Sequence, residues 1–405
     1  MKRPVLILGW LPRVVVPIAR ALHRHGLTVD QANFVLAMNA HSDSIREFRH
    51  IPRPDLSRDG FLRGLQAFIQ DGNHDIVIPT DDQTLIALAD HYDEIRQWTR
   101  VACPPPAVVH RVLNKNATLE AARQCGIPVP ATEIVASSDE LLHAGSQFAY
   151  PRVLKPAGKE VRIAEVKSYI FETPSDVTQA FPSPKTFHLP MLLQEYCPGY
   201  GVGIEMLMHE GNCLAVFQHR RLQEHPYTGG VSVTAIAEQP DSKLVNDSLT
   251  LLRALEWEGP AMVEFKIDPK TGSAVLMEVN GRYWGTIGLA ISAGVNFPLY
   301  HWQTLQGETS TAPGSYKIGT RWRWTVGHLG RFHSLITEAP RSRKARKELA
   351  FSLAKLPLLF GPAVHGLFDW RDPIPAISEI AHALKFLAWY DYHAVRRRVS
   401  GQAEC

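Results

Sequence analysis

Apolar positions at the start of the chain alternate between short unbroken runs and helical spacing. "PVLILGW" reads as a strand buried on both faces, and in "VVPIARALHRHG" Val16, Ala19, Leu22 and His23 recur at helical spacing before Gly26 closes the helix. "DIVIPT", Asp75 to Thr80, repeats the strand. "DDQTLIALADHYDEI" then repeats the helix, with Asp81 and Asp82 in its first turn, where the helix dipole favours carboxylates. Alternation of this kind predicts a parallel sheet covered by helices.

Residues 1–107 are therefore read as a small α/β, Rossmann-like domain ended by "CPPPA". Gly9 stands alone at the first turn without a G-x-G-x-x-G, which points to a structural turn rather than a dinucleotide site.

From Val108 the texture changes to α+β. "NKNATLEAARQCGIPVP" predicts a helix from about Lys115 to Gly126, and "YPRVLKPAGKEVRIAEVKSYIF" predicts a strand through Lys155, a polar loop and a second strand. "PMLLQEYCPGYGVGIEMLMHEGNCLAVFQHRR" reads as two more strands with a turn at Glu210 to Asn212. "SKLVNDSLTLLRALEWEG" is an amphipathic helix, and "AMVEFKIDPKTGSAVLMEVNGR" is a hairpin turning at Asp268, Pro269 and Gly272. Two lobes, about 108–190 and 191–310, follow from this order. Residues 311–405 form a partly helical extension: "RSRKARKE" is a solvated helix face, and Ile377, Ile380, Leu384 and Leu387 mark a docked terminal helix with arginines in its last turn.

Composition narrows the class little. At 405 residues, 45% hydrophobic, with a net charge of +3, the chain has room for two or three packed units and no bulk attraction to nucleic acid. Five separated cysteines without a CxxC pair argue against a structural zinc site or a disulfide scaffold and suit a reducing cytoplasm. Pro12, Arg13 and Pro17 interrupt the first apolar stretch, which reads as a strand rather than a leader, and no run is long enough to span a membrane.

The chemistry lies in the hairpin and in what precedes it. Residues two apart on a strand share a face, so Glu278, Asn280 and Arg282 in "MEVNGR" point one way if the strand persists, and pairing across the turn can bring Glu264 alongside Glu278. Two carboxylates and an amide oxygen suit Mg²⁺ completed by phosphate oxygens; the alternative is a solvated polar face. Lys155 in "RVLKPA", within a strand that should bury it, needs an anion, and Lys115 is a second isolated cation. "LLQEYCPGYGVGIE" is either a plain hairpin or an extended linker with carboxylates at Glu195 and Glu205. "QHRRLQEHPYTGG" gathers Arg220, Arg221 and adjacent glycines suited to an anionic ligand.

In this order the pieces over residues 1–310 resemble the ATP-grasp superfamily, in particular its carbamoyl-phosphate-synthase-like and biotin-carboxylase-like members and the uncharacterised carboxylate–amine-ligase-like members with an "HRR…TGG" segment. The resemblance implies a two-lobed ATP-grasp fold behind a Rossmann-like domain. By it, Lys115 and Lys155 contact phosphates. Glu195, Tyr196 and Cys197 form the adenine linker, and Glu205 holds the ribose. Glu264, Glu278 and Asn280 bind Mg²⁺ or Mn²⁺, and Arg282, Arg220 and Arg221 serve the reaction. The implied activity is an ADP-forming ligase that activates a small-molecule carboxylate with ATP for attack by an amine, in the cytoplasm, without nucleic-acid partners and with at most peripheral membrane contact. The alternative on the same fold is an ATP-binding protein without turnover, suggested by "PAGKEVRIAEVK", a phosphate loop whose only glycine is Gly158. Lys159 and Arg162 could replace its backbone donors, and Met262 stands where several members place a cation.

Overall fold

The structure is a computed structural model that describes residues 2–34, 41–144, 149–158, 168–310, 312–340, 342–354 and 362–385. Its first sheet is parallel, built from β1 (Val5–Leu8), β2 (Val29–Asn33), β3 (Phe48–His50), β4 (Ile76–Pro79) and β5 (Arg100–Val101) in the spatial order β3-β2-β1-β4-β5. Strand β1 is wholly buried because both of its faces are covered. Val5 and Ile7 pack with the helix Pro12–His23, whereas Leu6 and Leu8 pack with the helix Arg58–Gly72. Asp81 is the N-cap of the helix Asp82–Asp90 rather than part of its first turn, with its carboxylate accepting from the Thr84 backbone N–H.

A small antiparallel sheet follows: β6 (Thr132–Ser137), β7 (Arg152–Pro156), β8 (Tyr169–Phe171) and β9 (Thr186–Glu195), in the order β6-β9-β7-β8. A larger sheet holds β10 (Tyr200–His209), β11 (Asn212–His225), β12 (Val231–Glu238), β13 (Gly259–Ile267), β14 (Ala274–Asn280), β15 (Arg321–Arg323) and β16 (Val364–His365). Its order is β14-β13-β10-β11-β12-β15-β16. Two sequence expectations change here. The segment from Pro190 to Arg221 carries parts of three strands, not two. "LLQEYCPGYGVGIE" is also no hairpin, because β9 and β10 belong to different sheets and the chain crosses between them at Tyr196–Gly199.

One face of the large sheet packs on the helix Ser242–Ala254, with Val202, Ile204 and Met206 turned towards it. The other face carries Phe217, Met262, Tyr283 and Trp284 and shares one core with the first sheet through Val14, Ile18 and Leu22. The chain beyond 310 adds β15, β16 and the helices Thr325–Glu338 and Arg343–Ala354, and residues 374–385 are helical. Leu387 and the terminal arginines, like Lys159 and Arg162, lie outside the described residues. Among the described residues no helix is long and apolar enough to cross a membrane.

Candidate active site

The hairpin β13–β14 sets Glu264 directly opposite Glu278, with a register shift just after Glu264. Asn280, the last residue of β14 and almost wholly buried, donates from Nδ2 to Glu264 Oε1 at 2.9 Å and to Glu278 Oε1 at 3.1 Å. Its amide oxygen accepts from Arg282 Nη2 at 3.1 Å. The strand ends at Asn280, so Arg282 does not share its face by alternation. Arg282 is held instead by a fork to Asp82 of the first domain, 3.0 Å to Oδ1 and 3.1 Å to Oδ2. Burial works against this charge, but Asp82 outweighs it and holds the guanidinium above its ordinary pKa. Tyr283 and Trp284, fully buried in the shared core, fix the turn that places Arg282.

The glycines of β10 explain how the neighbouring strand takes part. Gly203 lies between His219 and Glu264 in the ladder. A Cβ on Gly203 would come within 2.6 Å of His219 Cε1, and one on Gly201 within 2.9 Å of Arg221 Cδ. His219 and Arg221 therefore lie across a bare stretch of β10 towards β13. Arg221 pairs with Glu264 Oε2 at 2.5 Å and donates to Glu224 Oε1 at 3.2 Å and Gly230 O at 3.1 Å. Although burial pulls its pKa down, Glu264 and Glu224 hold it well above the ordinary value. Arg221 thus places a cation beside Glu264, on whose strand Met262 carries none.

Arg220 and Arg221, inseparable in sequence, are separated by the pleat. Arg220 faces the opposite side of the sheet, 2.6 Å from Glu238 Oε1 and over the Tyr200 ring at 5.3 Å, away from the cluster. Glu205, expected to accept ribose hydroxyls, has no accessible surface; its Oε1 is bonded to His219 Nδ1, so it reaches the cavity only through His219.

These groups line a cavity of about 290 Å³ between the large sheet and the first domain; Arg13, His219, Arg221, Glu264, Glu278 and Arg282 are among its walls. Sequence reasoning placed His219 in the basic stretch before Thr228–Gly230 but did not find Arg13 or Asp82 as site residues; the signal available for Arg13 was a polar side chain within the apolar segment "LPRVVV". The two lysines lie outside this cavity lining. The helix Lys115–Gln124 starts against the end of β7, where Lys115 N donates to Ala157 O at 2.9 Å and its Nζ to Pro156 O at 3.2 Å, one residue beyond Lys155. Glu195 Oε1 accepts from the Ala131 backbone at 3.1 Å, and the Cys197 thiol is pushed up to about 11 by burial and by Glu195. Tyr196 is also raised, chiefly by burial. Among the described residues no group of three or more His, Cys, Asp or Glu side chains is placed to hold a metal ion, so the hairpin's oxygen donors are two carboxylates and one amide.

Comparison with known proteins agrees with this architecture. Residues 187–327 match the model of the family described as "ATP-grasp in the biosynthetic pathway with Ter operon". The chain is 24% identical over 246 residues to the carbamoyl phosphate synthase large chain of Methanothermobacter thermautotrophicus, covering 57% of this chain and 23% of that one. It thus spans under a quarter of that relative's length. Among solved structures, an L-amino acid ligase from Bacillus licheniformis superposes with a TM-score of 0.60 at 16% identity, covering 75% of this chain and 74% of that one. The biotin carboxylase domain of Hydrogenobacter thermophilus 2-oxoglutarate carboxylase, solved with MgADP and bicarbonate, gives 0.61 at 14% identity, covering 79% and 73%. Residues 187–327 are thus similar to an ATP-grasp domain, and the fold over about three quarters of the chain is that of the solved structures.

Proposed function

We propose that this protein is an ATP- and Mg²⁺-dependent, ADP-forming ligase that joins a small-molecule carboxylate to an amine. The observation that carries the reading is the convergence of Glu264 and Glu278 on Asn280, flanked by Arg221 and Arg282, in a cavity closed by the first domain. We read that domain, with its parallel sheet, as the Rossmann-like unit that precedes ATP-grasp lobes.

The donor set fits Mg²⁺, which takes one or two carboxylates and completes its shell with water and phosphate oxygens. Glu264, Glu278 and Asn280 would hold it, and when bound it would neutralise charge on the phosphates. Arg221 and Arg282 supply fixed positive charge at the edges of the cluster, where the phosphoryl group passes to the carboxylate oxygen. Lys115 and Lys155, at the end of β7, are placed in this reading on the nucleotide phosphates, and Glu195 at the end of β9 with Tyr196 and Cys197 on the crossing that follows are the adenine linker. The amine nitrogen then attacks the acyl carbon, forming the C–N bond as phosphate leaves with the C–O electron pair, and the amine proton passes to solvent. The walls of the cavity keep water from the activated acyl group.

The test is ADP release from ATP and Mg²⁺ by the purified chain with pooled carboxylates and amines. Stimulated release that disappears in Glu278→Ala is the expected result. Nucleotide binding without stimulated release by any pool contradicts the reading.

A further inference from the structure

Three arginines face the cavity, and two of them have carboxylate partners in the protein. Arg221 pairs with Glu264 and Glu224, and Arg282 with Asp82. Arg13 differs. It stands in the first turn of the helix Pro12–His23, with its guanidinium stacked 4.0 Å from the centroid of Trp324 and its Nε buried without a hydrogen-bond partner. Gly285, directly after Trp284, makes room for it: a Cβ there would come within 3.2 Å of Nε. Among the described residues Arg13 enters no ion pair. The carboxylate whose charge it feels, Glu379, accepts instead from Trp324 Nε1 at 3.0 Å and is pushed towards its neutral form by burial. Burial and the nearby Arg282 lower the Arg13 pKa to about 10. A guanidinium whose Nε is shut away from water without a partner is costly, and its planar fork, at the cavity wall, matches a carboxylate.

We infer that Arg13 anchors a carboxylate carried by the acceptor amine, so that the acceptor is an amino acid rather than a simple amine. This rests on the ligase reading above. The acyl donor's own carboxylate belongs beside Arg282 and the metal ligands. Arg13, on the first domain's wall of the same cavity, takes the second substrate's anion, and Trp324 fixes the direction of the fork.

The experiment uses the full chain with MgATP and a pool of proteinogenic amino acids as acyl donors. Four acceptors are compared by product mass: hydroxylamine, free amino acids, the matching amino acid amides, and O-phosphoethanolamine. Hydroxylamine carries no anion and reports acyl activation alone. Amino acids are expected to be coupled and their amides not. Arg13→Met is expected to cut coupling to amino acids by roughly 30- to 1,000-fold, while hydroxamate formation falls far less. Arg13→Lys should restore part of the coupling. Equal use of amides, or equal loss of both products in Arg13→Met, overturns the assignment while the ligase reading stands. Preference for O-phosphoethanolamine overturns the carboxylate in favour of a phosphate. Absence of hydroxamate with every donor removes the ligase reading, and this inference with it.

Discussion

Asp82, Arg282, Asn280, Glu278, Glu264 and Arg221 form one continuous chain of hydrogen bonds and ion pairs that begins on the first domain and ends on β11. Asp82 pairs with Arg282 and Glu264 with Arg221, and Glu278 accepts from the Asn280 amide, which is how these groups remain partly buried beside a cavity. Asp81, next to this chain, has no such neighbour in contact. Burial pushes its carboxyl up to about 6, against an ordinary 3.8. The folded value lies above the unfolded one, so the contribution to stability is full below about pH 3.8 and is lost as pH rises through about 6. Asp81→Asn keeps an N-cap acceptor for Thr84 and cannot ionise. Urea unfolding should show the variant gaining on the native chain by about 2 kcal/mol between pH 4.5 and pH 7.5. Equal changes in both proteins would contradict the shift.

At the level of elements, the hairpin β13–β14 and the parallel sheet were legible because each rests on a local pattern: period-two alternation around a Pro–Gly turn, or apolar runs between helical repeats. The break between β9 and β10 was not legible, since "QEYCPGYG" suits a hairpin turn equally well and only tertiary packing assigns its two strands to different sheets. Arg220 and Arg221 were not separable in the sequence; which one meets Glu264 depends on β11 lying beside a β10 with bare glycines. Arg13 was illegible for a different reason, because lack of a counter-ion is visible only once all neighbours are placed. The glycine argument has a direct check. Gly203→Ala should displace the His219 ring from between Glu205 and the cavity and cost about 1–3 kcal/mol in denaturant unfolding. An unchanged midpoint would show that the ring does not depend on that bare surface.

Across the whole molecule, the segment beyond residue 310 ties the first domain to the large sheet. Arg20 donates to Asp372 Oδ2 at 3.0 Å, to Asp372 O at 2.6 Å and to Leu367 O at 2.8 Å, and Ser42 also donates to the Asp372 carboxylate. Both partners of this pair are nearly inaccessible. Asp372→Ala would leave Arg20 buried without its counter-charge, and a loss of about 3–5 kcal/mol in unfolding free energy is expected. A loss below about 1 kcal/mol would mean that the domains are held by apolar packing alone. With the domains fixed in this way, the cavity is lined by the hairpin carboxylates Glu264 and Glu278 and by Arg13 of the first domain, the arrangement on which the proposed reaction rests. In the proposed reaction a carboxylate oxygen attacks the terminal phosphate of ATP at Glu264, Glu278 and Asn280. This step is tested most directly by supplying MgATP, hydroxylamine and pooled amino acids labelled with oxygen-18 in their carboxylates, then weighing the inorganic phosphate released. One labelled oxygen is expected in the phosphate released by the native chain and none with Glu278→Ala; ADP formed with wholly unlabelled phosphate would rule out attack by the carboxylate.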